Sequence, residues 1–153
     1  MMEAYVIYHS ETGNTLKVAL AIVSGLKQAD VGVVAKPVDE ADPAEAADFD
    51  LIALGTPVHA FRPSKKMSDF AKKLPPAAGM HAALFCTYGM HKGFAIKNLE
   101  KIIEKKGYEI SGSFGCPGRD NWPPAKILGL SQNRPDMSDL EKAADFAKKL
   151  KLE

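Results

Sequence analysis

The sequence predicts an α/β domain in which a five-stranded parallel sheet is covered by helices on both faces. Short apolar runs of strand length alternate with segments of helical period, and strands that are joined through helices lie parallel. Nearly half of the residues are apolar and a quarter are charged, which is typical of a globular protein. Because 153 residues suffice for one core and no repeat or linker divides them, we expect a single domain over residues 1–153.

The first half of the chain contains three predicted strands and two predicted helices. The strands are the apolar runs at residues 3–9, 31–38 and 50–55. The first helix spans residues 14–28, and its predicted buried face consists of Leu16, Ala19, Leu20, Val23 and Leu26. The second helix begins after Ser64, a residue type that favours the N-cap position, and ends before Pro75. The acidic, Ala-rich segment 39–48 is a candidate for a further short helix.

The second half completes the alternation with two strands and two helices. The strands are residues 81–87 and 108–114, and the helices are residues 95–106 and 139–150. A Gly- and Pro-rich segment, 115–135, is unusually long for a connection in a compact domain, and long connections are often functional. It contains Trp122, the only tryptophan, which either shields a ligand or holds the segment in place.

Composition and charge exclude several classes of protein. A net charge of +1 gives no field that would attract nucleic acid. Cys86 and Cys116 are too few and too widely spaced for a disulfide framework or a CxxC motif, which favours reduced thiols. The N-terminal region has no signal-peptide pattern, and the apolar stretch Val18 to Val23 is too short to span a membrane. We therefore expect a cytoplasmic protein without membrane insertion.

The first strand runs directly into a loop of small and hydroxyl-bearing residues, which we call loop one. Loop one consists of Ser10, Glu11, Thr12, Gly13, Asn14 and Thr15. Gly13 lets the backbone approach a ligand closely, three hydroxyls can donate hydrogen bonds, and the N-terminal end of a helix dipole favours an anion. The alternative is an ordinary turn in which Asn14 caps the helix. Six such residues directly after a first strand favour a phosphate site.

The residues of loop one resemble a motif of a known protein family. The chain has no GxxxxGK[ST] motif, and no GxGxxG follows the first strand. Ser-x-Thr-Gly-Asn-Thr at residues 10–15 instead resembles the FMN-phosphate loop of the flavodoxin family. The alternation of strands and helices agrees from end to end. The resemblance implies FMN as the cofactor, the flavodoxin-like strand order 2-1-3-4-5, and a site where that order reverses.

By this resemblance, the loop after the third strand flanks one face of the flavin ring, and we call it loop two. It consists of Thr56, Pro57, Val58, His59, Ala60 and Phe61. Phe61 either covers the ring or packs against a neighbouring helix. Electron-transfer flavodoxins usually have a Gly here, so that a peptide can flip toward the reduced flavin. Loop two has none, and the positive φ that such a flip needs is costly for Val58 or Phe61.

The loop after the fourth strand, residues 87–94, is loop three. Its two glycines and the start of a helix offer backbone N–H groups to the edge of the flavin. The candidate contacts are Thr87, Tyr88, Gly89, His91, Gly93 and Phe94. Tyr88 resembles in position a tyrosine that stacks on the ring in the family, and the alternative is that Tyr88 packs in the core.

Charge near the predicted site favours an anionic partner. Flavodoxins are typically acidic, whereas this chain places basic and titratable side chains around the site. The residues of this rim are His59, Arg62, Lys65, Lys66, His91, Lys92 and Arg119. Such a rim attracts either an acidic redox protein or NAD(P)H.

Three functions are consistent with the sequence. We expect an FMN-binding electron carrier. The second hypothesis is an FMN-dependent NAD(P)H oxidoreductase that reduces quinone-like or other small acceptors, which the basic rim and the missing loop-two Gly favour. The third is a flavin-free binding or signalling domain on the same fold. We find no nucleophile–base pair and no metal-ligand cluster, and therefore predict no catalytic residue and no metal site.

Overall fold

The computed structural model describes residues 1–89, 91–118, 133–150 and 152. The strands are β1 (Glu3–Tyr8), β2 (Gly32–Pro37), β3 (Leu51–His59), β4 (Arg62–Pro63), β5 (His81–Tyr88) and β6 (Glu109–Pro117). The helices are α1 (Asn14–Gln28), α2 (Lys65–Lys72), α3 (Ala95–Glu104) and α4 (Met137–Lys148). Two 3-10 turns, Val38–Glu40 and Pro43–Asp48, occupy the segment in which the sequence predicts a short helix. Arg119 and Trp122 lie outside the described residues.

The sheet has the predicted order. Five strands run parallel in the order β2-β1-β3-β5-β6, which is the order 2-1-3-4-5 of the sequence prediction because β4 lies off this path. The chain moves from β1 to one neighbour, β2, and then returns to the other side of β1 at β3. The order therefore reverses between β1 and β3, which is where ligands bind in sheets of this class.

Alternate residues of the inner strands supply two apolar cores. Tyr5 and Ile7 of β1 pack in the core under α2 and α3, whereas Ala4 and Val6 pack in the core under α1 and α4. This period of two follows from the pleat of a strand, and an apolar residue at every position is what a sheet covered on both faces needs. None of the helices in the described part of the chain is long and apolar enough to cross a membrane.

The buried face of α1 differs from the predicted one. Leu20 is 56% exposed, so its assignment to the core is wrong. The buried residues are Thr15, Val18, Ala19, Ile22, Gly25 and Leu26. Gly25 lies at one edge of their stripe, where α4 comes so close that a Cβ atom at Gly25 would clash with the carbonyl oxygen of Ala144. Contact with α4 as well as with the sheet rotates the buried stripe away from Leu20.

Loop two is mostly strand and not loop, which corrects the prediction. Residues 56–59 continue β3, and β4 folds back on them as an antiparallel hairpin with the pairs Val58–Pro63 and His59–Arg62. The two connecting residues, Ala60 and Phe61, have φ angles of 49° and 68°. A two-residue turn with positive φ at both positions matches the right-handed twist of a hairpin. The sequence gives no signal for it, since Asn and Gly usually occupy these positions.

The start of α3 holds this unusual turn. The carbonyl oxygen of Phe61 accepts a hydrogen bond of 2.7 Å from the N–H of Phe94. Gly93 lies against the same backbone, and a Cβ atom there would be 2.6 Å from the Cα of Phe61. The positive φ that the sequence analysis judged costly at Phe61 is therefore adopted, and the contact with loop three stabilises it.

Substituting Ala60→Gly is expected to raise the free energy of unfolding by about 1 kcal/mol. An L-residue in the left-handed region costs roughly 1–2 kcal/mol, and the larger unfolded-state entropy of Gly removes part of the gain. Urea denaturation measures the change. Ala78→Gly is the matched control, because Ala78 is exposed and is not among the positive-φ residues, and it should not gain stability. Equal losses in the two variants would contradict the interpretation.

Candidate functional site

Three segments meet at one edge of the sheet because β1, β3 and β5 are adjacent and parallel. Their carboxyl ends carry loop one (10–15), loop two (56–61) and loop three (87–94). The exposed candidate residues are Glu11, Thr12, His59, Ala60, Phe61, His91 and Phe94. Those of intermediate exposure are Ser10, Gly13, Asn14, Pro57, Val58, Tyr88, Gly89 and Gly93. The buried ones are Thr15, Thr56 and Thr87.

Two backbone N–H groups at the start of α1 donate to a single oxygen atom of loop one. The Ser10 hydroxyl oxygen accepts the N–H of Gly13 at 3.1 Å and the N–H of Leu16 at 3.2 Å. Gly13 has a φ of 94° and precedes α1, whose Lys17 N–H bonds the Gly13 carbonyl. The N–H groups of the first helical turn have no partner within the helix. Donors that converge in this way, with no atom within 4 Å of a Cβ position at Gly13, suit a phosphate group.

Loop one contains no cationic side chain. Its only formal charge is Glu11, whose Oε1 lies 3.6 Å from Nε2 of His9 and 3.6 Å from Nε2 of His59. The two imidazole rings stand edge to face, with centroids 6.1 Å apart. Glu11 thus lies between two histidines from different strands, so that an anion in loop one must be held by neutral donors and the helix dipole.

A buried pair of hydroxyls joins loop one to loop three. The Oγ1 atoms of Thr15 and Thr87 are 2.8 Å apart, and both side chains are excluded from solvent. The N–H of Gly118 donates to the carbonyl of Tyr88 at 2.8 Å, and Gly118 lies against Asn14. Thr87 therefore acts as a tie between loops, since its hydroxyl is already engaged by Thr15.

A second buried hydrogen bond, which the sequence does not predict, joins the residue before loop one to the residue after the hairpin. His9 Nδ1 lies 2.7 Å from the Ser64 hydroxyl, and both residues are buried. The Ser64 oxygen also accepts the N–H of Met67 as the N-cap of α2, so donation of its proton to Nδ1 satisfies both groups. The imidazole proton then lies on Nε2, facing Glu11. The only sequence signal was a histidine directly after a buried strand.

The Thr56 side chain is used within the hairpin. Its hydroxyl donates to the Pro57 carbonyl at 2.8 Å and accepts the Ser64 N–H at 2.9 Å. Thr56 is fully buried and its hydroxyl is engaged in these two bonds, while its contact with a flavin stays a prediction. Ser64 consequently connects Thr56, His9 and the first turn of α2.

Aromatic side chains at the edge of the site face solvent. Phe61 is 58% exposed and Phe94 is 61% exposed. The Phe61 ring stands edge-on to His91, with centroids 6.0 Å apart, and His91 Nδ1 accepts the Gly93 N–H. Of the two alternatives for Phe61, packing into a neighbouring helix is not observed. The three rings form an exposed group, which we call the aromatic rim.

The thiol and phenol groups near the site are neutral at physiological pH. Burial raises the pKa of the Cys86 thiol to about 11 and that of the Cys116 thiol to about 12. Burial also raises the pKa of Tyr88. A thiol in this state is a poor nucleophile and a poor metal ligand. Among the described residues, no group of three or more His, Cys, Asp or Glu side chains is arranged to hold a metal ion.

The protonation of His9 should affect stability. Burial lowers the pKa of His9 below its ordinary value of 6.5, and this outweighs the opposite effect of Glu11. The unfolded chain then binds more protons than the folded chain in the window between the lowered pKa and 6.5. The free energy of unfolding is expected to fall as pH drops through this window, in denaturation curves measured at a series of pH values.

The variant His9→Asn should flatten this pH dependence, because an amide can bond Ser64 without titrating. The same slope in His9→Asn and in the parent would show that another group titrates.

Comparisons with known proteins agree with this geometry. The flavodoxin domain family matches residues 5–122. An uncharacterized protein of Methanocaldococcus jannaschii is 31% identical over 153 residues, covering 97% of this chain and 98% of that protein.

Solved structures share the fold along nearly the whole chain. A short-chain flavodoxin associated with a non-canonical PDU bacterial microcompartment superposes with a TM-score of 0.78 at 18% identity, covering 98% of this chain and 97% of that one. A flavodoxin from the domain Archaea gives a TM-score of 0.76 at 21% identity, covering 96% and 94%. Loop one and the reversal of strand order agree with the family match. The chain therefore belongs to the flavodoxin family.

Proposed function

We propose that this protein binds FMN between loops one, two and three and acts as an electron carrier. The observation that supports this most is the convergence of two backbone N–H groups on one oxygen atom of loop one, at the reversal of strand order. Membership of the flavodoxin family indicates FMN as the cofactor. When bound, FMN supplies electron-transfer chemistry that no side chain of this site provides.

Each loop has a separate part in holding the cofactor. Backbone N–H groups of loop one and the exposed Thr12 hydroxyl would bind the phosphate. The aromatic rim and the hairpin would bound the ring. Thr15, Thr87 and His9 are buried and already bonded, so their part is to fix the spacing of the loops.

The charge around the site favours an anionic partner and a readily reduced cofactor. Lys92 is exposed in loop three and Arg62 lies on the hairpin, so both present positive charge near the site. Positive charge stabilises the anionic form of a reduced flavin, which raises its two-electron potential. It also attracts negatively charged proteins and speeds their association.

Phosphate recognition by loop one can be tested with FMN and riboflavin, which differ only in the phosphate. Thr12→Glu should weaken FMN binding by about tenfold or more, because a carboxylate then faces the phosphate. Riboflavin binding should change much less. Fluorescence titration of the apoprotein measures both affinities, and Gln28→Glu at the far end of α1 adds the same charge as a control. An equal loss for both ligands would contradict a phosphate site in loop one.

Carrier and oxidoreductase functions differ in their response to nicotinamides. Dithionite should bleach the reconstituted protein, and ferricyanide should restore its colour rapidly. NADH and NADPH should leave the absorbance spectrum unchanged over the same period. Rapid bleaching by either nicotinamide would overturn the carrier function in favour of an oxidoreductase. A protein that takes up no FMN would overturn both.

A further inference from the structure

A groove of about 620 Å³ runs between α2 and α3 and opens beside the hairpin. His59 and Arg62 lie at the hairpin end, Lys65 and Lys72 line the α2 wall, and Lys101 lines the α3 wall. Helix α2 has eight residues, so these walls extend about 12 Å away from loop two. The groove thus leads from the candidate cofactor site along the outer surface of two helices.

Positive charge dominates this groove. Arg62, Lys65, Lys72 and Lys101 are its four Lys or Arg residues, and Asp69 is its single carboxylate among the described residues. Asp69 bonds Lys65 at 2.8 Å, which lowers the pKa of Asp69 and raises that of Lys65, so both stay ionised.

The other three cations, Arg62, Lys72 and Lys101, form no ion pair among the described residues. The far end gains a further positive group, because the Lys106 ammonium donates to the Lys72 carbonyl at 2.7 Å. The groove therefore presents a predominantly positive surface on a chain whose net charge is only +1.

Exposed aromatic residues lie next to this charge. Phe61 directly precedes Arg62 in the hairpin, and Phe94 bonds the Phe61 backbone. A protein interface typically has an aromatic centre surrounded by polar and charged residues. Here the aromatic rim lies at the loop edge, and the cations extend from it on one side.

The lining of the groove argues against a dinucleotide as its occupant. Pro63 and Ile102 are its apolar members, and no Phe, Tyr or Trp is among its described lining residues. The imidazole of His59, at the hairpin end, is therefore the single aromatic ring that these residues offer to a base, whereas small-molecule sites are usually lined predominantly by apolar and aromatic side chains. An extended acidic surface, in contrast, matches cations that are distributed along both walls.

We propose that the groove between α2 and α3, together with the aromatic rim, is the docking surface for an acidic redox protein. This inference rests on the proposed electron-carrier function and specifies where its partner binds. Docking on this side places the partner beside loop two, next to the candidate cofactor site. The partner's carboxylates contact Lys72 and Lys101 far from the cofactor, so these two lysines affect association without touching FMN.

Charge reversal at the far end of the groove tests the proposal. The double variant Lys72→Glu/Lys101→Glu should weaken binding of fluorescently labelled poly-L-glutamate by about tenfold or more at low ionic strength. Fluorescence anisotropy of the FMN-loaded protein measures this affinity. Lys27→Glu/Lys142→Glu makes the same change in net charge on exposed positions of α1 and α4, across the sheet, and should alter the affinity less than about twofold. Equal effects of the two double variants would overturn the proposal.

Two further measurements separate the possible failures. Electron transfer from the reduced protein to an acidic [2Fe–2S] ferredoxin should slow in the groove variant and lose most of its salt dependence. Tighter binding of 2′,5′-ADP than of poly-L-glutamate at the groove would overturn the proposal in favour of a dinucleotide. The poly-L-glutamate assay can also be made on the apoprotein. Failure of the protein to bind FMN would therefore refute the proposed function. If the FMN-loaded protein binds poly-L-glutamate equally well with and without the groove substitutions, only the docking surface is refuted.

Discussion

The site depends on polar bonds that join separate strand ends where water is excluded. His9 bonds Ser64, Thr15 bonds Thr87, and Thr56 accepts the Ser64 N–H, with all five residues buried. A buried polar group without a partner costs about 1–3 kcal/mol, so each bond is needed once the side chain is buried. Because the partners come from different segments, satisfying them also fixes the distance between the loops. These bonds therefore fix the positions of the segments around loop one.

The hairpin shows how one loop is held in a conformation that it does not favour alone. Ala60 and Phe61 both have positive φ, at a cost of roughly 1–2 kcal/mol each. The Phe94 N–H bonds the Phe61 carbonyl, and Gly93 leaves room for the backbone contact. Strain of this kind persists only where the surrounding structure imposes it. Loop two is therefore positioned by loop three, and a partner or cofactor meets a surface that is already formed.

The sequence predicts the sheet order and the position of loop one because both depend on local patterns. Apolar runs mark the strands, and the letters of residues 10–15 lie within one short segment. It does not predict the bond between His9 and Ser64, because the two residues are 55 positions apart and neither is unusual where it stands. Nor does it predict the hairpin, because contact with α3, and not a Gly, stabilises positive φ at Phe61. Leu20 was misplaced for a similar reason, since α4 decides which face of α1 is buried.

The chain is nearly neutral overall, but its charged side chains are distributed unevenly around the site. The carboxylate of loop one, Glu11, lies 3.6 Å from a ring nitrogen of His9 and 3.6 Å from a ring nitrogen of His59. Across the hairpin, Arg62, Lys72 and Lys101 line one groove and form no ion pair with a carboxylate among the described residues. Fields of exposed charges decay over about 10 Å at 0.1 M salt, so an approaching protein responds to the local charge and not to the total. The proposed acidic partner would therefore be guided to the α2 and α3 side of the edge, where the aromatic rim offers apolar contact area.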